Sequence, residues 1–249
     1  MKAQPSHPPV IVSPEQWLAA RRELLREEKA LTQARERLAA HRRELPWVKI
    51  TKPYTFESPH GRVSLSDLFG RHSQLVVYHF MFGPGWEQGC KSCSYVSDHL
   101  APTVVHLAAR DVAFAAVSHA PLAEFAPFKA RMGWTFPWVS AHGSDFNQDF
   151  HVSFTAEEIA RGEVYYNYDL RPFPIEEGPG MSVFVRDAHG AVYHTYSTYG
   201  RGLDPLIGTY QLLDLVPKGR DEDPESTMSW VRHHDRYDEP LTADAVATR

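Results

Sequence analysis

Both cysteines of this 249-residue chain lie in one tetrapeptide, Cys90-Lys91-Ser92-Cys93. Two thiolates are too few for a four-cysteine zinc or iron–sulfur site. In a chain that looks intracellular, a Cys-x-x-Cys pair at a strand-to-helix junction is typical of a redox dithiol, which cycles between two thiols and a disulfide. The spacing therefore predicts thiol–disulfide chemistry, provided that the neighbouring residues form such a junction.

The residues on either side of the cysteines have the pattern of that junction. The apolar run 75–82, LVVYHFMF, is rich in β-branched and aromatic residues and predicts a buried central strand, which the sequence Gly83-Pro84-Gly85 ends. After Gly89, apolar residues recur every three or four positions to about residue 110, as in a helix that Pro102 kinks midway. Cys90 is therefore expected at a helix N-terminus.

This position assigns different roles to the two cysteines. The unpaired N–H groups and the dipole of a helix N-terminus stabilise a thiolate, the reactive form of cysteine, and Lys91 adds positive charge. The three-residue offset places Cys93 one turn deeper on the same helical face, within reach of a disulfide. We interpret Cys90 as the nucleophile and Cys93 as the resolving thiol; the alternative is two small buried residues in a helix cap.

Composition limits the classes of function. Hydrophobic residues make up 43% of the chain and charged residues 23%, as in globular proteins, and the net charge is -5. An acidic balance of this kind argues against binding to nucleic acid or to an anionic membrane. The chain has neither a membrane-spanning run nor the apolar core of a secretion signal, so we expect a cytoplasmic protein. No cofactor is expected.

The N-terminal region 1–46 is expected to form a separate element. Ser13-Pro14-Glu15-Gln16 has the pattern of a helix start, and the next helix breaker is Pro46, which predicts a helix of about 30 residues. Apolar residues repeat every seven positions at Trp17, Leu24, Leu31 and Leu38. Such a helix either pairs with a second subunit, giving a homodimer, or lies on its own domain.

The remainder divides into a domain at 47–216, with an insertion at about 142–180, and a polar tail at 217–249. Short strands are predicted at 53–57 and 62–65, a buried strand at 111–118, a short helix at 124–132 and an edge or strand-like segment at 135–139. A hairpin at 181–196 and a helix at 205–215 follow. Strands that alternate with helices predict a parallel sheet with right-handed crossovers.

This order of elements resembles the thioredoxin-like fold in its peroxiredoxin-type, N-terminally extended form, an α/β three-layer sandwich. Three motifs, at 89–94 with Asp98 and His99, at 194–202 (HTYSTYGRG) and at 230–235 (WVRHHD), are similar to those of domain-of-unknown-function family 899. The resemblance covers roughly residues 14–237. It implies a dithiol–disulfide oxidoreductase, with no known substrate.

The resemblance also points to further residues. Thioredoxin has a buried acid in its central strand, and the matching position here is His79, which can carry a proton between sulfurs or serve only as a core residue. The position of thioredoxin's cis-proline corresponds to Met181 or Ser182. The peroxiredoxin pattern Pro-x-x-x-Thr-x-x-Cys is absent, because Gly83 and Glu87 occupy its first two positions, so peroxidase chemistry is disfavoured.

The expected substrate is a protein or small-molecule disulfide or thiol. Aromatic and hydroxyl-bearing residues in the segment 193–199 and the nearby Arg201 can line a cleft beside the cysteines, although ordinary packing explains them equally well. We assign six residues to substrate binding: Trp86, Met181, Ser182, Tyr196, Tyr199 and Arg201.

Two other classes of function stay open. Two thiolates and a histidine suit copper(I) or zinc, with candidate ligands His99, His119, His194, His233 and His234, none of which has a distinctive spacing. A non-catalytic interaction module that uses the long helix is the third class.

Overall fold

A computed structural model describes residues 9–238 of the chain. The helices are α1 (Pro14–Arg43), α2 (Lys91–Leu100), α3 (Val104–Ala109), α4 (Leu122–Arg131), α5 (Phe146–Asp149), α6 (Ala156–Arg161) and α7 (Gly208–Leu213). The strands are β1 (Val48–Lys49), β2 (Thr55–Ser58), β3 (Gly61–Ser64), β4 (Gln74–His79), β5 (Val112–Ser118), β6 (Trp138–Ser140), β7 (Val164–Tyr166), β8 (Asp169–Arg171), β9 (Gly180–Arg186) and β10 (Val192–Tyr199).

The long N-terminal helix is confirmed and spans 30 residues. Its start is a capping box, in which the Ser13 hydroxyl accepts from the Gln16 N–H and the Gln16 side chain accepts from the Ser13 N–H. No residue of α1 is buried, and the guanidinium of Arg42, near its end, lies 5.4 Å from the ring centre of Tyr196. The helix therefore gains little from packing on its own domain.

Eight strands form one mixed sheet in the order β1-β10-β9-β4-β5-β6-β2-β3. Only β4–β5 and β5–β6 are parallel, and the remaining pairs are antiparallel. The predicted parallel sheet is thus limited to three central strands. The segment at 135–139 is predicted as an edge or strand-like segment; its end forms the strand β6, which lies not at an edge but between β5 and β2, with all three residues buried.

Side chains alternate across the central strand β4, which separates two apolar clusters. On what we call the front face, Tyr78 packs with residues of α2, α4 and α7. On the back face, Val77 packs with Phe146 and Phe184. The molecule therefore has three layers. The helices of the front face form the first and the sheet forms the second, and α5 with the turn at Asp67–Phe69 forms the third.

Pro102 interrupts the helix that follows the cysteines, as expected, because proline lacks an N–H. A 3₁₀ turn at Ala101–Thr103 separates α2 from α3. The region 142–180 contains α5, α6 and the two-stranded sheet of β7 and β8. Of the polar tail, residues 239–249 lie outside the described residues, as do residues 1–8 of the N-terminal extension. Between residues 9 and 238, no helix combines the length and apolar character that a membrane crossing requires.

Candidate active site

The dithiol lies where the chain leaves β4 and enters α2. Cys90 occupies the N-cap position of α2, and its N–H donates to the carbonyl of Met81 at 3.2 Å. Only glycine fits immediately before it, because a Cβ on Gly89 would lie 2.6 Å from the Phe80 ring and 2.8 Å from the Phe128 ring. The aromatic core of the front face therefore fixes the approach of the chain to Cys90.

Cys90 and Cys93 are free thiols 3.8 Å apart. Cys90 is partly exposed, whereas Cys93 is buried. The hydrogen bond from the Cys93 thiol is the main cause that lowers the pKa of Cys90 to about 7; the N–H groups of Cys93 and Ser92 and the charge of Lys91 act in the same direction, against burial. About half of Cys90 is then thiolate at neutral pH.

Cys93 has the opposite electrostatic environment. Burial raises the pKa of its thiol well above the ordinary value, and its hydrogen bond to Cys90 raises that pKa further. The pair therefore combines one ionised, accessible sulfur with one protonated, buried sulfur. A nucleophile and a resolving thiol require this asymmetry.

Tyr78, which no motif in the sequence singles out, lies beside the buried thiol. Its side chain is fully buried in the same cluster as Cys93, and its hydroxyl acts to lower the pKa of that thiol. Among the described residues, the hydroxyl has no completed hydrogen bond. The available signal was strand alternation, which places Tyr78 and Phe80 on the face that the dithiol helix covers.

His79, the candidate proton carrier, points to the other side of the sheet. Its ring stacks on Phe150 at 5.8 Å and packs near Phe146, and its Nε2 lies 2.8 Å from the Ser182 hydroxyl. Burial lowers the pKa of His79 to about 3, so the ring is neutral near pH 7. The structure does not bring His79 to the cysteines, because adjacent residues of a strand face opposite ways.

The proposed substrate-binding residues fall into two groups. Trp86 and Met181 belong to the front cluster that contains Cys93. Ser182 and Tyr199 face away from it: Ser182 bonds to His79, and the Tyr199 hydroxyl donates to the carbonyl of Phe150. Tyr196 lies under Arg42 of α1, and Arg201 is 76% exposed beside Asp204. The structure therefore unites two of the six with the dithiol.

A C-terminal segment at 230–237 packs against the dithiol helix. Val231 is fully buried in the front cluster, and Trp230 contacts the ring of Tyr95 in α2. His233 donates from Nε2 to the carbonyl of Gly89 at 2.9 Å, and His234 lies 2.8 Å from the carboxylate of Asp98. The island of aromatic and basic residues in the tail is thus part of the wall around the site.

The candidate metal ligands are dispersed. His99 bonds to Thr209, His119 to Glu177, and His194 to Ser197. Residues 9–238 contain no group of three or more histidine, cysteine, aspartate or glutamate side chains placed to hold a metal ion. The described part of the chain therefore offers the two thiols no third ligand.

Solved structures are similar to this chain at low sequence identity. The peroxidoxin BcpB from Mycobacterium tuberculosis is 16% identical, with a TM-score of 0.42, over 68% of this chain and 96% of its own. A putative thiol:disulfide interchange protein DsbE from Chlorobium tepidum is 15% identical, with a TM-score of 0.39, over 66% of this chain and 97% of its own. No curated protein matches the sequence.

The topology of the structure itself defines the fold class. The central strand β4 has a parallel neighbour and an antiparallel one, the helix that carries the cysteines follows β4, and a hairpin and a helix complete the domain. This is the thioredoxin-like fold, extended by α1. The family model for "Bacterial protein of unknown function (DUF899)" matches residues 6–237, and the chain belongs to that family.

Proposed function

We propose that the protein is a thiol–disulfide oxidoreductase in which Cys90 is the nucleophile and Cys93 the resolving thiol. One observation carries the proposal: two free thiols 3.8 Å apart at a helix N-terminus have pKa values shifted in opposite directions. Structural cysteines in an apolar core have raised pKa values and are inert. The lowered pKa of Cys90 instead favours a reactive thiol.

The reaction has two exchange steps. The Cys90 thiolate attacks one sulfur of the substrate disulfide, so that a mixed disulfide forms and the first substrate thiolate leaves and takes up a proton. Cys93 then loses its proton and attacks the Cys90 sulfur. A disulfide forms between Cys90 and Cys93 as the mixed disulfide breaks, and the second substrate thiolate leaves and takes up a proton. Two electrons have then passed from the dithiol to the substrate. The reverse sequence oxidises a dithiol, and the reduction potential decides between the two directions.

The side chains around the dithiol suggest how a substrate is held. Trp86 and Met181 supply apolar surface in the same cluster as Cys93, and the Trp86 indole N–H donates to Glu176 at 3.1 Å, which fixes the ring. Lys91, whose pKa is lowered by burial and by Arg232, provides positive charge next to Cys90. We propose a protein or small-molecule disulfide as the substrate, in the cytoplasm, where low-pKa dithiols are kept reduced.

The two alternatives have less support. A metal site at the cysteines would need a further ligand, and no described histidine or carboxylate completes one. An interaction module would not need the opposite pKa shifts of the two thiols, although the exposed helix α1 is compatible with a partner.

The test is a redox titration of the purified protein against glutathione buffers, with free thiols counted and metals analysed in the same preparation. We expect a reversible two-electron transition. A mixed disulfide should be trapped in Cys93→Ser and absent from Cys90→Ser. A preparation that forms no disulfide over the whole range, and that holds stoichiometric copper or zinc lost in both variants, would refute the proposal in favour of metal binding.

A further inference from the structure

A cavity of about 290 Å³ lies on the side of the molecule away from the cysteines, between the start of the sheet and the inserted region. Its wall includes the polar and aromatic residues Tyr54, Asp149, His151, Tyr165, Tyr168 and His194. A second cavity of about 450 Å³ adjoins it and shares Val48, Tyr168 and His194. The first cavity alone has the size of a small-ligand site for one or two rings.

Two residues of this wall have a backbone conformation that side chains rarely adopt. His151 has φ 55° and Tyr168 has φ 67°, both in the left-handed region, which is costly for a bulky residue. Asn167, beside Tyr168 in the tip between β7 and β8, has φ 53° as well, but asparagine tolerates this conformation and its side chain does not line the cavity. Local turns account for both conformations: His151 follows the C-terminus of α5 in a Schellman motif, and Tyr168 is a central residue of the two-residue hairpin between β7 and β8. These turns fix where the two side chains lie.

The wall supplies flat surfaces with neutral polar edges. The rings of His151 and Tyr165 meet edge to face at 4.7 Å, and the Tyr168 ring lies in the same way against Tyr199 at 5.6 Å. Burial lowers the pKa of His151 and of His194, so both imidazoles are neutral near pH 7. His151 is an exposed residue, so a ligand that enters the cavity can reach its imidazole.

Charge at the cavity disfavours an anion. The carboxylate of Asp149 is part of the wall and accepts from the Tyr54 hydroxyl at 2.7 Å and from Lys52 at 2.6 Å. Lys52 also pairs with Asp145 at 2.7 Å, so its charge is shared between two carboxylates. A hydroxyl on a neutral ring can donate to the carboxylate or to the imidazole, whereas a ligand carboxylate would be repelled.

We propose that this cavity binds a planar, neutral aromatic molecule that carries a hydroxyl group. Its ring would stack between tyrosine and histidine side chains, and its hydroxyl would pair with the His151 imidazole or the Asp149 carboxylate. The site is separate from the dithiol, which lies on the front face, and the proposal does not depend on the redox function.

The test uses the full-length protein and 2-naphthol, a neutral fluorescent two-ring phenol, in a titration followed by fluorescence anisotropy and by calorimetry. We expect saturable binding of one molecule per chain, and at least tenfold weaker binding of 2-naphthoate, the anion with the same rings. His151→Asn and Tyr168→Asn remove a ring from the wall, while asparagine keeps the left-handed backbone. Each should weaken binding several-fold. His151→Asn should do so without lowering the melting temperature, whereas Tyr168→Asn also loses the hydrogen bond from the tyrosine hydroxyl to the Ser197 carbonyl.

Two controls locate the effect. Asn167→Gly changes the same turn without changing the wall and should bind 2-naphthol as the unmodified protein does. The double variant Cys90→Ser/Cys93→Ser should also bind normally, since it leaves this cavity intact. Unsaturable binding, equal binding of the anion, or unchanged affinity in both His151→Asn and Tyr168→Asn would each overturn the proposal.

Discussion

His233 and Gly89 are joined by a hydrogen bond of 2.9 Å between the Nε2 of the imidazole and the carbonyl that precedes Cys90. Arg131 donates to the other ring nitrogen, Nδ1, at 3.0 Å. Since Nδ1 accepts and Nε2 donates, the ring is neutral, and burial lowers its pKa in agreement. A residue from the end of the chain thus holds the backbone at the start of the dithiol helix.

Loss of the His233 side chain should loosen the backbone at the start of the dithiol helix α2. In His233→Ala the Gly89 carbonyl and the Arg131 guanidinium lose a buried partner, which costs about 1–3 kcal/mol. We expect a lower free energy of unfolding in urea and a shifted pH profile of Cys90 alkylation. His233→Gln, whose amide can still donate to Gly89, should restore much of both. His234→Ala, a neighbouring but more exposed position, should behave nearly as the unmodified protein.

Tyr78 should assist the second exchange step. Its hydroxyl favours the thiolate of Cys93, so Tyr78→Phe should raise the pKa of Cys93 further and slow attack on the mixed disulfide. We expect the mixed disulfide to persist about ten times longer, while the first attack by Cys90 keeps its rate. Rapid quenching with acid and mass spectrometry measure both steps.

The matched control is Tyr95→Phe. Tyr95 lies on the same helix as Cys93 and packs against Trp230 of the C-terminal segment. It is a second buried tyrosine whose hydroxyl has no completed hydrogen bond among the described residues. Its loss should leave both exchange rates unchanged. A similar slowing in Tyr95→Phe and Tyr78→Phe would mean that the effect is one of packing and not of the Tyr78 hydroxyl.

Cys90 should titrate near neutrality in the folded protein. Because its pKa is lowered to about 7, alkylation by iodoacetamide should rise with pH and reach half its plateau near that value. Cys93→Ala removes the largest cause of the lowering, so the midpoint should move upward, whereas Cys93→Ser keeps a hydroxyl donor and should move it less. An unchanged midpoint in Cys93→Ala would contradict this origin of the shift.

Local patterns in the sequence were sufficient to place the dithiol at a strand-to-helix junction. The apolar run, its glycine–proline end and the periodicity after Gly89 are short-range signals, and β4 and α2 formed within a few residues of the expected limits. The capping pattern at Ser13 and Gln16 was similarly reliable, because both partners of a capping box lie within one turn.

Facing and long-range contacts were harder to predict. The resemblance to thioredoxin selects His79 as the proton carrier, but the side chain beside Cys93 is that of Tyr78, one residue earlier. Adjacent residues of a strand face opposite sides of the sheet, so an offset of one residue selects the wrong face. The contact of His233 with Gly89 joins residues 144 positions apart, which no local pattern encodes. The place of β6 inside the sheet likewise depends on its pairing with the distant strand β2.

The pair of the partly exposed His119 and the buried Glu177 should make stability depend on pH. The Nδ1 atom of His119 lies 2.8 Å from the Glu177 carboxylate, and this contact raises the pKa of His119. Burial raises the pKa of Glu177. Both groups hold protons more tightly in the folded state. The contribution of His119 is complete below about pH 6.5 and is lost as the pH rises through its raised pKa, whereas that of Glu177 is complete only below about pH 4.5.

We therefore expect the free energy of unfolding in urea to fall between about pH 6 and about pH 8. Ser153 also donates to Glu177, at 2.7 Å, and keeps that carboxylate partly satisfied when His119 is replaced. His119→Gln should flatten the dependence, since glutamine can donate but does not titrate. If the free energy of unfolding of His119→Gln fell with pH as steeply as that of the unmodified protein, the pH dependence would come from other titrating groups.

We propose that α1 pairs with a second copy of the chain. Its apolar stripe is exposed, with Trp17 at 59%, Leu24 at 50%, Leu31 at 54% and Leu38 at 50%. The first half of α1 holds four of its five glutamates, at positions 15, 23, 27 and 28, beside three arginines, at 21, 22 and 26, whereas its last turn is basic, at positions 41–43. Antiparallel pairing would keep the two basic ends apart and set each against the glutamate-containing half of the other helix, which favours a two-fold dimer.

Sedimentation equilibrium should therefore give a dimer, and Leu24→Lys/Leu31→Lys should raise its dissociation constant at least tenfold, because like charges replace the central apolar contacts. No residue of α1 is buried, so the substitution should leave the melting temperature of the monomer unchanged. Gln33→Lys adds one lysine charge away from the stripe and should leave the dimer intact. A chain that sediments as a monomer at every concentration would exclude the pairing, and α1 would then be a helix with a different partner.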